Sequence, residues 1–310
     1  MHYTLQQLKI FQKISENQSI TKTADELHLT QPAISIQLKK FQEQFDIPLV
    51  ENIGRRIFIT DFGKEVAEST AKILEEVDSI KYKALAHQGY LHGNLKVSVV
   101  STGKYVMPYF LTDFIHQHPG VDLTMDVTNR TRVIESLEKN EVDFAMVSVL
   151  PDQLQVEAEG LMENKLYFVG SSPVDNGSRT LNPKDLKDLP LIFRENGSAT
   201  RRAMETFLKE HDIVPSKFME LTSNEAVKQA LIAKLGYSLM PLIGIRNALE
   251  KKDLFVIPVK DLPVVTNWNL VWLKGKRFSP VAQAYLESLR DQKQQVIEEN
   301  FGWYKDLKFN

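Results

Sequence analysis

The chain has 310 residues, of which 43% are hydrophobic and 25% charged, with a formal net charge of -2 and no cysteine. A chain of this length buries more than one core, so two or three domains are expected. Its near-balanced charge gives neither the basic excess of a coating protein nor the acidic excess of a solvating tail. The lack of cysteine excludes disulfides, thiolate metal sites, cysteine nucleophiles and thiol-based redox sensing.

Residues 1–14 alternate polar and apolar side chains at helical spacing, unlike a secretory signal. Nowhere do about 18 apolar residues run together as a membrane span needs, so a cytoplasmic protein with no membrane partner is expected. Thr4 and Gln7 form a capping box for a first helix whose inward stripe is Leu5, Leu8, Phe11 and Ile14. A second short helix follows from about residue 21, with the small Ala24 permitting close approach of a neighbour. A tight connection through His28 and Leu29 leads to a third helix that starts at Thr30 and carries Pro32 in its first turn, where the missing N–H costs nothing.

On the third helix Ile34, Leu38, Phe41 and Phe45 recur at core spacing. The opposite surface presents Pro32, Ile36, Lys39 and Lys40, flanked by Ser35. Two short helices meeting through a tight turn, the second showing small, amide and lysine side chains outward, fit a major groove. Residues 49–60 read as a wing: Gly54 supplies the turn, and Arg55 and Arg56 sit at the tip within reach of a phosphate or the minor groove. Residues 1–64 contain eight Lys or Arg and seven Asp or Glu, so DNA binding must rest on where the positive groups sit and on paired copies of the domain rather than on bulk charge.

From 64 to 88 the pattern is one long helix without proline or glycine. Val66, Ile73, Val77, Ile80 and Ala84 follow coiled-coil steps, while Glu75, Glu76, Asp78 and Lys81 lie elsewhere, which points to dimerisation ahead of packing on its own domain. Gly89 and Gly93 break the helix. Short apolar strands then alternate with amphipathic helices, the signature of an α/β fold. Strands are predicted at 95–100, 121–128, 144–149, 166–170, 191–194, 218–221, 237–240, 254–259 and 268–273. Helices are predicted at 105–117, 130–139, 200–211, 224–234 and 280–300, and the chain can cross between two lobes near 166 and 268.

In open α/β lobes ligands gather beyond the carboxyl ends of the strands, where helix N-termini expose N–H groups. Ser101, Thr102 and Gly103 follow the first strand, Thr128 and Asn129 the second, and Ser148 ends the third. In the other lobe the run from Glu195 to Arg201 joins a strand to a helix and brings Thr200 and Arg201 near its first turn. Taken singly, Ser101, Thr102 and Thr200 are equally well read as helix caps; as a set around one cleft they suit a small anion.

Ser19-Ile20-Thr21 with Ala24 and Leu27, then Thr30-Gln31-Pro32-Ala33-Ile34-Ser35, then Gly54-Arg55-Arg56 and Ile59-Thr60 before Gly63 together resemble the LysR family of transcription regulators over nearly the whole chain. The resemblance implies an α plus α/β architecture. A winged helix-turn-helix occupies 1–63 and a linker and dimerisation helix 64–90. A two-lobed effector-binding domain similar to periplasmic binding proteins occupies 91–310, with lobe I at about 91–165 and 268–310 and lobe II at about 166–267.

The implied partners are double-stranded promoter DNA, a small-molecule effector, further copies in a homodimer or homotetramer, and RNA polymerase; no cofactor is implied. Gln31, Pro32, Ser35 and position 36 would face the groove, and Arg55 or Arg56 would serve the wing. The run from Ser101 to Pro119-Gly120, with 197–205 and 223–229, is similar to regulators of carbon-fixation genes, although Ser148 and Val149 depart from that pattern.

Enzyme signatures are missing: there is no phosphate loop, dinucleotide glycine fingerprint, nucleophile elbow or His-Glu-x-x-His. The close pair His116 and His118 reads as surface histidines rather than a metal site. The rival from another class is a small-molecule binding or transport receptor without specific DNA binding, separable by salt-dependent gel shift against bulk competitor.

Two positions depart from the family: Ile36 and Asn52 stand where many relatives carry arginine. An outward Ile36 cannot make a bidentate guanine contact but can touch a thymine methyl. The half-site is therefore expected to hold a thymine opposite Ile36, and Ile36→Arg should move the base preference at that position when binding is measured on a set of variant operators. Unchanged preference at every position would refute it.

Overall fold

The computed structural model describes residues 2–54, 56–86, 91–172 and 180–306. The chain divides into two units, Met1–Gly89 and Tyr90–Asn310. The first contains α1 (Leu5–Asn17), α2 (Ile20–Glu26), α3 (Gln31–Gln42), the antiparallel pair β1 (Val50–Ile53) and β2 (Arg56–Ile59), and α4 (Asp61–Ala86). The capping box forms as expected: the Gln7 amide donates to Thr4 Oγ1 at 3.3 Å and the Thr4 amide to Gln7 Oε1 at 2.8 Å. Leu8, Phe11 and Ile14 are buried, joined by Ile10. Leu5 is a correction to the predicted stripe, since it stands in the first turn at the rim of the core and stays 47% exposed.

The hairpin is tied to α4 by Thr60, whose hydroxyl donates to Pro48 O at 2.6 Å and accepts from the Gly63 amide at 2.9 Å. A Cβ on Gly63 would lie 2.1 Å from Leu49 O, so no side chain fits there and the wing packs directly on the start of α4. That helix begins at Asp61, slightly before the predicted 64. Ala67 and Thr70 are buried and Leu74 joins the core of the unit, while Ile73 and Ile80 remain exposed. Val66, assigned to the dimer seam, packs on this same core. The side chains of Glu75, Asp78, Lys81 and Ala84, and residues 87–88 of the predicted helix, lie outside the described residues.

The second unit opens with β3 (Gly93–Val100), α5 (Met107–Gln117), β4 (Val121–Thr128), α6 (Arg130–Glu138) and β5 (Phe144–Val147), with β3 parallel between β4 and β5. A long strand β6 (Val156–Gly170) leads into β7 (Leu191–Arg194), α7 (Ala199–Glu210), β8 (Phe218–Leu221), α8 (Asn224–Ile232), β9 (Ser238–Pro241), α9 (Arg246–Glu250) and β10 (Phe255–Val256). The chain returns through β11 (Val264–Leu273) to α10 (Pro280–Phe301) and α11 (Trp303–Asp306). The large sheet has the order β10-β6-β11-β5-β3-β4, with β9 also on β6. The parallel pair β7–β8 is linked to Tyr237, just before β9, by a bridge from Leu191.

Two strands are longer than predicted. β6 starts at Val156 rather than 166 and β11 at Val264 rather than 268, and the two pair antiparallel from Leu166↔Val264 to Val156↔Leu273 with a bulge at Trp268/Asn269. Charged residues in 157–165 mask the strand in sequence, yet several find partners on β11, on α10 and within the strand itself. Glu157 accepts from Trp272 Nε1 at 3.0 Å, and Glu159 pairs with Arg290 at 2.9 Å and with Lys293. Conversely, the predicted strand at 254–259 shrinks to Phe255–Val256, because Ile257 and Val259 turn away to bond Phe168 and bridge to Leu181.

One apolar cluster runs unbroken from Leu95, Phe110, Phe144 and Trp268 in the first lobe to Ile192, Val227, Leu231 and Met240 in the second. The end of the chain braces the crossing strand. Phe301 packs edge-on to Tyr109, the Arg246 guanidinium lies 4.5 Å from the Trp303 ring centroid, and the Lys165 amide donates to the Tyr304 hydroxyl at 2.6 Å. Burial pushes the Tyr304 phenol above its ordinary value, so the oxygen meets that amide as a neutral hydroxyl. Tyr304→Phe keeps the ring but orphans the amide, and should cost about 1–3 kcal/mol, read as a lower thermal midpoint of the full chain; an unchanged midpoint would remove the brace from the account.

Candidate functional site

In the first unit the outward face of α3 is open as expected. Thr30 caps the helix, its Oγ1 accepting from the Ala33 amide at 3.4 Å, and Gln31, Pro32, Ser35, Ile36, Lys39 and Lys40 are all exposed, Ile36 by 53%. The positive charge is sorted by pairing. Lys13 and Lys22 are tied to Glu16 and Glu26, and Lys64 to Asp61. Among the described residues Lys39 and Lys40 make no ion pair, and neither does Lys9 on α1, so the two α3 lysines stand unpaired on the outward face of that helix.

Gly54 takes φ +63°, which gives the wing its tight turn. Arg56 is exposed beside it, whereas Arg55 lies outside the described residues. An open groove of about 570 Å³ lies between Gln18, Ser19 and Thr21 at the start of α2 and Asn52, Arg56 and Phe58 on the wing. Sequence reading placed Arg56 on the wing but missed that Ser19, Thr21 and Asn52 share a groove with it. The Ser19-Ile20-Thr21 run was the available signal.

In the second unit the residues after β3 meet residues of the opposite lobe. Arg194, the last residue of β7, is 2% exposed; its Nη2 donates to Ser101 Oγ at 3.3 Å, and Asn224 Nδ2 donates to the same oxygen at 3.4 Å. Arg194 Nη1 and Asn224 Oδ1 are buried without a hydrogen-bond partner. The two ends of the Asn224 amide are isosteric, and the reversed orientation lets the Ser101 hydroxyl donate to Oδ1. In that arrangement Arg194 Nη1 and Asn224 Nδ2 are both unspent donors, a set that suits an anion.

Two more close approaches join the lobes nearby. A Cβ on Gly197, which has φ +83°, would lie 2.7 Å from Thr131 Oγ1, and one on Gly244 would lie 3.0 Å from the Tyr105 ring. Burial pushes the Tyr105 hydroxyl above its ordinary value; the Glu225 carboxylate adds to this and Arg194 opposes it.

The other predicted residues divide by role. Thr102 is buried beside Ser101. Gly103 is demanded by packing, as a Cβ there would come 3.0 Å from Met146 Sδ. Thr128 is half-buried at the end of β4, and Asn129 caps α6 by accepting from the Arg132 amide at 3.0 Å. Ser148 is buried just past β5, and Thr200 is buried in the first turn of α7, where Ser198 supplies the cap.

Arg201 is bound within its own lobe: Nε to Glu205 at 2.7 Å, Nη1 to Glu220 at 2.5 Å and to Arg194 O at 2.9 Å. These partners hold its pKa above the usual value, the Glu205 bond most. At the cleft edge Arg130 leaves Nε buried without a partner; burial lowers its pKa, the neighbouring Arg202 lowers it further and Asp152 opposes both. Arg194 and Asn224 were missed from sequence, although an arginine closing the apolar run Leu191-Ile192-Phe193 was a visible anomaly.

Among the described residues no cluster of His, Asp or Glu could hold a metal ion, and no helix is long and apolar enough to cross a membrane. The bacterial regulatory helix-turn-helix protein, lysR family, matches residues 5–64, and the LysR substrate binding domain matches 88–294. A RuBisCO operon transcriptional regulator of Allochromatium vinosum is 35% identical over 290 residues, covering 93% of this chain and 95% of that protein. The regulatory domain of CcmR from Synechocystis PCC6803, solved in complex with 2-PG, superposes with a TM-score of 0.62 at 27% identity, covering 66% of this chain and 98% of that one. Full-length CbnR complexed with its target DNA shares the fold, with a TM-score of 0.69 at 20% identity over 93% of this chain and 99% of that one. The chain belongs to the LysR family of transcriptional regulators, in the branch that includes the CbbR-like proteins.

Proposed function

We propose that this regulator answers a small organic anion, of the phosphate-bearing carboxylate class to which 2-PG belongs, held between the two lobes of its second unit. The observation that carries this reading is the buried Arg194 guanidinium, with Nη1 unpartnered and Nη2 reaching across to Ser101. A cation withdrawn from water at a junction between lobes, with donor groups left over, is better matched by an anionic ligand than by any neutral one. Ser101, Thr102, Thr128, Asn129, Ser148 and Thr200 surround the site in this reading. Arg201 contributes by holding the carbonyl of Arg194.

The winged helix at 1–63 reads the promoter through Thr30, Gln31, Pro32, Ser35, Ile36, Lys39 and Lys40, with Arg55 and Arg56 on the wing. The helix at 64–90 pairs copies into a homodimer or homotetramer, and 91–310 senses. The target supported by the relatives is an operon for carbon fixation, with RNA polymerase as a further partner and the cytoplasm as the location. The anion acts by binding one arrangement of the lobes more tightly than another, so its binding free energy biases how paired winged helices meet DNA.

Arg194→Lys keeps a charge but loses the guanidinium fork, and Ser101→Ala removes the opposing oxygen from the other lobe. Both variants should bind operator DNA within about twofold of the parent chain while losing the shift that 2-PG produces, because the substitutions remove effector contacts in the second unit and leave the operator contacts of the first in place. The readout is a gel shift at fixed salt with and without 2-PG. Full retention of the 2-PG response in both variants would refute the site.

A further inference from the structure

The fork of Arg194 is already partly occupied by the protein itself. Glu195, the next residue, accepts from Nε at 2.7 Å and from Nη2 at 2.8 Å, the two-point geometry that an incoming carboxylate or phosphate would use. Arg194 is 2% exposed on its side chain and Glu195 16%, so the pair sits well inside the lobe junction. Only Nη1 is unspent.

Building on the reading that an anion binds at this arginine, we propose that Glu195 is a specificity-determining residue: an internal counter-ion that competes with the ligand for Arg194 and so restricts the site to anions carrying more than one negative charge. A buried guanidinium without a partner is costly, and Glu195 offsets that cost while the site is empty. A monoanion replacing Glu195 exchanges one negative charge for another and must also turn the glutamate away, so it gains little. A phosphate-bearing carboxylate brings surplus charge, engages Nη1 and the Ser101 and Asn224 groups in addition, and can meet the cost of displacement.

The position of Glu195 ties this competition to the lobes. It opens the loop to Ser198 that starts α7, and in that loop Gly197 takes φ +83° with no room for a Cβ against Thr131 of α6 in the opposite lobe. The competing carboxylate therefore stands two residues from a tight contact between the lobes.

The test is calorimetric titration of the full chain with 2-PG, inorganic phosphate and acetate, comparing the parent with Glu195→Gln, Glu195→Asp and Arg194→Lys. Glu195→Gln is isosteric and removes the competing charge. It should tighten 2-PG and phosphate roughly tenfold, as for an arginine that Glu195 leaves free a tenth of the time, and should let acetate bind measurably. Glu195→Asp is one methylene shorter and cannot reach both nitrogens. It carries the same expectation in weaker form, which keeps the test alive should the Gln variant fail to fold.

If 2-PG binds the parent, is lost in Arg194→Lys, and is no tighter in either Glu195 variant, Glu195 merely positions the arginine and the competition is refuted while the anion site stands. If the parent binds neither 2-PG nor phosphate and the variants behave alike, the anion site falls, and the competition with it.

Discussion

The second unit depends on one ladder, the antiparallel pairing of β6 with β11 along ten residues of each strand from Leu166↔Val264 to Val156↔Leu273. These are the strands by which the chain passes from one lobe to the other and back, so their shared register sets where the lobes stand. Trp268, fully buried at the bulge, anchors the crossing within an apolar cluster that both lobes supply. Because the cluster does not stop at the boundary between lobes, a change in lobe arrangement has to be a discrete repacking rather than a free swing. The Tyr304 hydroxyl on the Lys165 amide, and Trp303 against Arg246, add a brace from the far end of the chain to the same crossing.

That geometry explains why polar groups come to be buried where the lobes meet. The strand ends carrying Ser101 and Arg194 are brought face to face, and neither can retreat into solvent without disturbing the ladder behind it. The result is a charged, hydrogen-bonding seam in an otherwise apolar junction, with Arg194, Glu195, Asn224 and Ser101 satisfying one another incompletely. Buried polar networks of this kind are costly when partly satisfied, and a ligand that completes the network relieves the cost. In the proposed reading the sensor exploits the same free energy: the relief is available only in the arrangement that brings all the donors to one point.

The first unit solves a different problem, that of reading DNA with almost no net charge. Acidic residues neutralise Lys13, Lys22 and Lys64 on the sides of the domain, leaving Lys39 and Lys40 on the open face of α3 and Arg56 on the wing. In the proposed reading, phosphate contacts from these groups fall close to base edges, which favours register over indiscriminate adhesion. The direct packing of Leu49 on Gly63 fixes the wing against α4. The same helix leaves Ile73 and Ile80 uncovered on the surface of the unit.

Sequence alone determined whatever depends on local pattern. The Thr4–Gln7 box, the Thr30 cap with Pro32 behind it, the inward Ile34, Leu38 and Phe41, the turn at Gly54 and the alternation of strands and helices after residue 93 all follow from spacing and capping chemistry, which act over a few residues. The exposed face of α3 was legible for the same reason, since one helix presents it. The proposed effector site was legible only as a ring of strand ends. Tertiary structure decided which of those residues meet: Ser101 faces Arg194 and Asn224, separated from it by about a hundred residues of chain, while the Arg201 guanidinium is engaged within its own lobe by Glu205, Glu220 and the carbonyl of Arg194. It also decided that the charged stretch 157–165 is a strand, because only the tertiary fold brings Trp272 to the exposed Glu157 and Arg290 and Lys293 to the half-buried Glu159. Contacts between residues so far apart in the chain leave no period in the sequence, and they exist only once the β6–β11 ladder has brought the two lobes together.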